Sequence, residues 1–298
     1  MCAARIHHGL NSRERRVFPA HLLHGMFTCR GVMVGNSAYV GEVDMMIDTG
    51  AETSVAIGGA NRNWEVRLKD KSGKMVLFDR VFFISPEKGG ESMFESMVLL
   101  GMNFIARLNS VLFDFTQGEL EFVVNPGAVY GTEVPVFVNS QRGRGAEIER
   151  MMEKGQLVPL LEVNETVDPA CQCRDHGVCN MAFKARKVVD TGSAVTTANK
   201  DEARSLVKKK MSFVDDGMSI QRWTGKKVNF ARMQNTCTKM EDVRMQNVAM
   251  QVPHTQYSDF SFMGTDYMAG LPRLGLANLH NLLQRPPKPP TLYIPPME

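Results

Sequence analysis

The chain of 298 residues contains no run of 18 apolar residues, so no membrane-spanning helix is expected. Its first residues, MCAARIHHGLNSRERR, put His and Arg where a secretory leader needs an apolar stretch. That points to a cytosolic or otherwise reducing location. An excess of one charge is also missing. Lys and Arg number 35 against 32 Asp and Glu, and the resulting +3 is too little to argue for a nucleic-acid partner. The basic clusters at 11–16, 142–144 and 208–210 read as solvated faces and tails. The six cysteines are scattered, except for Cys171, Cys173 and Cys179, and do not suggest a disulfide framework.

What is present is an ordinary globular mixture, 43% hydrophobic and 22% charged, in a chain long enough for about two domains. Residues 1–26 read as a flexible basic leader. From 27 the text is β-rich, with strands at MFTCRGVMVG, AYVGEVDMMI, WEVRLKD and KMVLFDRVFFIS, the last two joined by a turn. Residues 27–140 form one lobe on this reading. Residues 141–157 form a linker holding a short helix, AEIERMME, and 158–284 form a second lobe. The proline-rich 285–298 is a tail whose TLYI could add an edge strand. In the second lobe NKDEARSLVKKKM reads as a helix, with Asn199 as its cap.

Two stretches repeat one event. MIDTGAET at 46–53 brings Asp48 out of an apolar strand and follows it with Thr49 and Gly50; VVDTGSAV at 188–195 does the same with Asp190, Thr191 and Gly192. Each is followed later by apolar residues, a glycine and a helix: VLLGMNFI reaches Gly101, and SFMGTDYM reaches Gly264. The order of features is the same in both halves, which makes an internal repeat and predicts two similar lobes.

With its later glycine element, this pattern resembles a retropepsin-type aspartic protease unit. Asp48 to Gly101 spans 101 − 48 = 53 residues, and Asp190 to Gly264 spans 264 − 190 = 74, shorter than the usual pepsin-like lobe. Retroviral proteases are homodimers with one Asp per chain. Here both acids lie on one chain, so it resembles a fused pseudo-dimer: pepsin-like in its arrangement, retropepsin-like in each lobe. The resemblance implies a mainly β, bilobal acid-protease fold with two pseudo-symmetric barrel-like lobes and the active site between them. It implies an aspartic endopeptidase acting on peptide or protein substrates as a monomeric catalytic unit, with no cofactor, no nucleic acid and no membrane.

The chemistry explains why two acids are needed. One carboxylate deprotonates water while a neighbouring carboxylic acid protonates the substrate. Two carboxyls side by side share one proton, because both cannot ionise. The resemblance makes Asp48 and Asp190 that pair. It makes Thr49 and Thr191 cross-bond the two loops, Gly50 and Gly192 let backbone N–H groups approach the carboxylates, and Gly101 and Gly264 permit close packing beneath. Ala51 follows the first triplet and Ser193 the second. In related families a hydroxyl at this position donates to its own aspartate, which places the charge on Asp190 and the shared proton on Asp48. Where the family often has Asp after the later glycine, this chain has Asn103 and Asp266. The flap that covers substrate is short of room in the first lobe: AIGGANRNW reads as a reduced flap, or WEVRLKDKSGKMV as a substitute. The second lobe has SIQRWTGKKVNFAR for a full hairpin. Trp64 and Trp223 are candidates for lining the cleft.

CQCRDHGVC offers Cys171, Cys173, His176 and Cys179 as zinc ligands, but the spacing is not a standard zinc pattern. An incidental loop is the plainer reading, and no metal is expected. Two further readings of the whole chain stay open: a catalytically weak bilobal peptide-binding module, and a protease excised from a mobile-element or viral polyprotein.

Overall fold

The computed structural model describes residues 14–35, 39–56, 61–85, 98–116, 120–127, 131–139, 145–168, 182–208, 219–221, 227–253 and 261–296. The first half runs β1 (Arg16–Leu23), β2 (Met26–Val34), β3 (Tyr39–Ile47), β4 (Ser54–Ala56), β5 (Arg62–Lys69), β6 (Met75–Ile84), β7 (Val98–Leu100), α1 (Met102–Ile105), β8 (Ser110–Asp114) and β9 (Leu120–Val124). After β10 (Thr132–Val134), β11 (Val136–Asn139) and α2 (Ala146–Glu153) come β12 (Leu160–Asp168), β13 (Phe183–Val189) and α3 (Lys200–Lys208). The chain continues through β14 (Ser219–Gln221), β15 (Lys227–Met240), β16 (Val243–Pro253), β17 (Phe262–Met263), α4 (Thr265–Met268), β18 (Arg273–Ala277) and β19 (Thr291–Ile294). The protein is thus mainly β with a few short helices.

A twelve-stranded sheet has the order β10-β19-β18-β8-β9-β1-β2-β3-β7-β4-β6-β5, and β5 also pairs back onto β2, which curls the first lobe towards a barrel. The second lobe is a seven-stranded sheet containing β14-β15-β12-β13-β17, with β11 on β12 and β16 on β15. The lobes share a floor, because β18 pairs antiparallel with β8, Leu274 facing Phe113.

Two expectations about the chain ends fail. Residues 16–23 are not leader but β1, paired with β2 and β9. Phe18 drives this: it is fully buried and packs against Phe78 at 5.4 Å and Phe122 at 6.3 Å. The turn into β2 puts both His24 and Gly25 at positive φ, a two-residue hairpin whose twist matches its strands. Residues 291–294 do form a strand, but β19 lies between β10 and β18, not at the edge.

The two lobes are cored differently. In the first, Phe18, Phe78, Phe104, Phe113 and Phe122 form a chain of ring contacts. Beneath α3 the second lobe is filled by aliphatic residues such as Val167, Leu206, Met233 and Met250. Trp64 is 4% exposed within the first lobe's core, with the Arg62 guanidinium 4.0 Å from its ring centre. It therefore does not line the cleft. Trp223 lies outside the described residues, as do Cys171, Cys173, His176 and Cys179. Cys237 is disulfide-bonded, which the scattered cysteines did not suggest. Cys29 is a free, buried thiol whose pKa is pushed up by burial. Among the described residues no helix is long and apolar enough to cross a membrane.

Candidate active site

Each acid is delivered by the same local construction. β3 pairs parallel with β7, and β13 pairs parallel with β17. At the end of each pair the aspartate N–H bonds the later strand: Asp48 to Leu100 O at 2.9 Å, Asp190 to Met263 O at 3.0 Å. Gly101 and Gly264 then cap the following helices in nearly the same extended conformation. A Cβ on Gly101 would sit 2.5 Å from Thr53 O, and one on Gly264 would sit 2.5 Å from Val195 O. Both must be bare for the loop to lie beneath. The helices hold those loops in turn, since Met102 N donates to Ala51 O at 2.7 Å and Thr265 N to Ser193 O at 2.8 Å.

The two loops meet through their threonines. Thr49 Oγ1 donates to Val189 O at 2.7 Å and accepts from Thr191 N at 3.0 Å. Thr191 Oγ1 donates to Ile47 O at 2.5 Å and accepts from Thr49 N at 3.1 Å. Four hydrogen bonds satisfy six buried polar groups reciprocally across the lobe boundary. Gly50 N–H and Gly192 N–H each donate to their own lobe's aspartate, at 2.8 and 3.0 Å. Each glycine also faces the opposite acid. A Cβ on Gly50 would stand 2.2 Å from Asp190 Cγ, and one on Gly192 would stand 2.3 Å from Asp48 Cγ.

Asp48 and Asp190 face each other across the lobe boundary, and each is 8% exposed. They titrate as a pair. Burial raises both above the ordinary carboxylate value. Asp190 is raised further because it also faces the negative charge of Asp48. The expected asymmetry loses its cause. Ser193 Oγ does not reach Asp190; it donates to Val195 O at 2.8 Å, within its own turn. Without that donor nothing singles out Asp190 as the charged partner.

The sequence reading missed the brace behind each loop. Gly101 N donates to Ser54 Oγ at 3.0 Å, and Gly264 N to Thr196 Oγ1 at 3.1 Å. Ser54 and Thr196 each stand six positions after their aspartate, a repeat signal that was there to be read. They are held from behind by the polar residue in each short helix. Asn103 Oδ1 accepts from Ser54 Oγ at 2.6 Å, and Asp266 Oδ1 from Thr196 Oγ1 at 2.7 Å. Asn103 and Asp266 therefore support the loops and stand off the acids.

The hairpins differ between lobes. The β5–β6 turn cannot serve as a flap: Lys71 N donates to Val17 O at 2.9 Å and Arg16 pairs with Asp70 at 3.4 Å, which ties that turn to β1. Residues 57–60, the middle of AIGGANRNW, lie outside the described residues. In the second lobe β14 and the start of β15 do pair, Ser219 with Asn229 and Gln221 with Lys227. The tip of that hairpin, 222–226, is likewise outside the described residues.

No family model matches this sequence, and no characterised protein matches it by sequence. Among solved structures it is similar to the aspartic proteinase from Irpex lacteus, with a TM-score of 0.50 and 9% identity over 92% of this chain and 100% of that one. At that identity the likeness is one of fold, and it agrees with the lobes described above: the chain has a bilobal acid-protease fold.

Proposed function

We propose that the protein is an aspartic endopeptidase in which Asp48 and Asp190 activate water against a peptide bond. One observation carries the proposal: two buried carboxyls face each other, each presented by an Asp-Thr-Gly loop on the same scaffold and packed against the other loop's glycine. Two acids in such contact share one proton between their two apparent pKa values, the condition on which aspartic proteases run. The ionised member of the pair takes a proton from water as its oxygen attacks the peptide carbonyl. The protonated member gives its proton to the carbonyl oxygen. In the second half the first passes the acquired proton to the leaving nitrogen, the other takes one back from the diol, and the C–N bond breaks. The nucleophile is water, so no acyl-enzyme forms.

The other assignments follow as roles. Thr49 and Thr191 keep the carboxyls in register, and Gly50 and Gly192 leave room for the opposite acid. The β14–β15 hairpin acts as the flap, so the second lobe supplies the cover. Both acids lie on one chain, so the catalytic unit is a monomer with a peptide or protein substrate. Incubation with a mixed peptide library, with and without a statine-type inhibitor, tests the reading. Inhibitor-sensitive cleavage that is unchanged on dilution supports it. Peptide binding without cleavage would instead make the chain a bilobal peptide-binding module.

A further inference from the structure

A three-charge cluster lies inside the second lobe, behind the acid pair and outside the chemistry above. Lys187 stands on β13, three residues before Asp190, and is 0% exposed. Its ammonium donates to Glu202 Oε2 at 3.0 Å, to Thr197 O at 3.1 Å and to Ser261 Oγ at 2.9 Å. Glu165 of β12, 1% exposed, has an oxygen 3.9 Å from the same nitrogen. The Lys187 contacts converge on the second active-site loop. Thr197 N donates to Phe262 O at 2.9 Å and Phe262 N to Thr197 Oγ1 at 3.2 Å, immediately ahead of Gly264. Glu202 brings in α3, whose N-terminus Asn199 caps through Asp201 N and Glu202 N.

The first lobe shows that no charge is needed here for stability. Counting back from the aspartates and along the paired strands, Lys187 corresponds to Met45, Glu165 to Gly31, Ser261 to Val98 and Tyr267 to Phe104. All of these first-lobe positions are buried, and Met45, Val98 and Phe104 belong to the continuous apolar core. A buried ion pair is rarely more stabilising than such packing. What it adds is directionality: an ammonium with three acceptors at fixed positions ties three segments in one geometry. The charge count is also uneven, with one cation against two carboxyls. Glu165 is the carboxyl that burial pushes toward its neutral form. Burial raises its pKa, against the lowering effects of Lys187 and of the Tyr267 and Thr238 hydroxyls, and the Glu202 charge adds to the rise. Those two hydroxyls are 2.8 Å apart and lie beside Glu165, but make no well-aligned bond to it.

We propose that Lys187 is a positioning residue for the Asp190 loop, holding Thr197, Ser261 and α3 in place through its three hydrogen bonds. With Glu165 protonated the cluster is neutral. With Glu165 ionised it holds a net negative charge in a closed interior, which loosens the pin. The proposal rests on the proposed hydrolysis only for its effect on rate; the pin itself does not.

Melting temperatures of the whole chain and of E165Q, K187M and K187M/E202Q, taken at about pH 5 and about pH 8, test it. A carboxyl raised by folding stabilises fully below its ordinary range, and that contribution is lost as pH rises through the folded value. E165Q mimics the protonated form, so its loss of stability toward pH 8 should be clearly smaller than the wild type's. K187M should melt about 10 °C lower at pH 8. That deficit should at least halve at pH 5, where Glu165, raised by burial, is nearer its neutral form, and adding E202Q should recover part of it at pH 8. Amide-exchange protection at Thr197 and Phe262 should fall about tenfold in K187M at pH 8 and recover only in part at pH 5. Cleavage by K187M at pH 5 should show a lower kcat with little change in KM. An E165Q variant with the full alkaline loss, or a K187M deficit and exchange pattern independent of pH, overturns the proposal. If K187M fails to fold, the E165Q comparison still decides. If the wild type cleaves nothing, the proposed function fails and the melts and exchange still decide the pin.

Discussion

The two lobes carry the same loop on different interiors. Around Asp48 the supporting strand buries Met45 beside Gly31; around Asp190 it buries Lys187 beside Glu165. The first lobe's brace ends in a neutral amide, Asn103, and the second's in a carboxyl, Asp266, whose pKa burial raises. The reciprocal threonine bonds, the N–H donors and the capping glycines match within a few tenths of an ångström. Everything that touches the acids is therefore duplicated, and everything one layer behind is free to diverge. A loop geometry can be supported equally by close packing or by an ammonium, provided every buried polar group finds a partner.

The largest effect should come from breaking the duplicated layer. D48N and D190N should each lower kcat/KM by about 10²–10⁴-fold, because neither lobe can be both acid and base. Peptide-cleavage rates on folded protein measure this, and a single variant keeping a tenth of the rate would refute a shared-proton pair. Next, G50A and G192A should cost about 10²-fold each, since their Cβ atoms would displace the opposite carboxyl. Equal losses support the pseudo-symmetry, and a loss in one only would break it. T49V and T191V should each destabilise by about 2 kcal/mol, with the double variant costing less than the sum because the two share one set of cross-bonds. Denaturant titration measures that coupling.

A smaller effect concerns pH. Asp48, Asp190 and Glu165 are all raised in the folded protein. Each therefore binds protons more tightly folded than unfolded, and stability should be greatest in acid and decline as pH rises through the raised values. D190N should decline less, and a D190N melting curve parallel to the wild type's across pH would contradict the raised value. The smallest effect is none at all: S193A should leave the acid limb of the kcat/KM profile unmoved, because that hydroxyl is spent on Val195 O.

Much of the site is local and so could be read in one dimension. Asp-Thr-Gly after an apolar strand specifies a loop in three residues, and the later Gly101 and Gly264 complete it. Ser54 and Thr196 were readable too, from their equal offset after the acids. Other features were not. Residues 16–23 sit next to NSRERR and look like a tail; only the distant Phe78 and Phe122 make Phe18 a core residue. Trp64 has the chemistry of a cleft residue, but β5 turns it inward. Lys187 and Glu202 resemble any solvated charges until α3 is folded over β13 and closes off water.

By itself, then, the sequence determined that two acids would leave two strands in matching turns, because strand alternation, glycine and a short polar side chain act over a few residues. It also determined that the chain would be mainly β and twofold. The tertiary structure alone decided that each acid packs against the opposite loop's glycine, that Ser193 turns away from its aspartate, that the β5–β6 turn is tied to β1, and that one lobe is pinned by a buried ammonium. Those outcomes depend on which side chain reaches a polar atom first, and that is set by segments far apart in the chain.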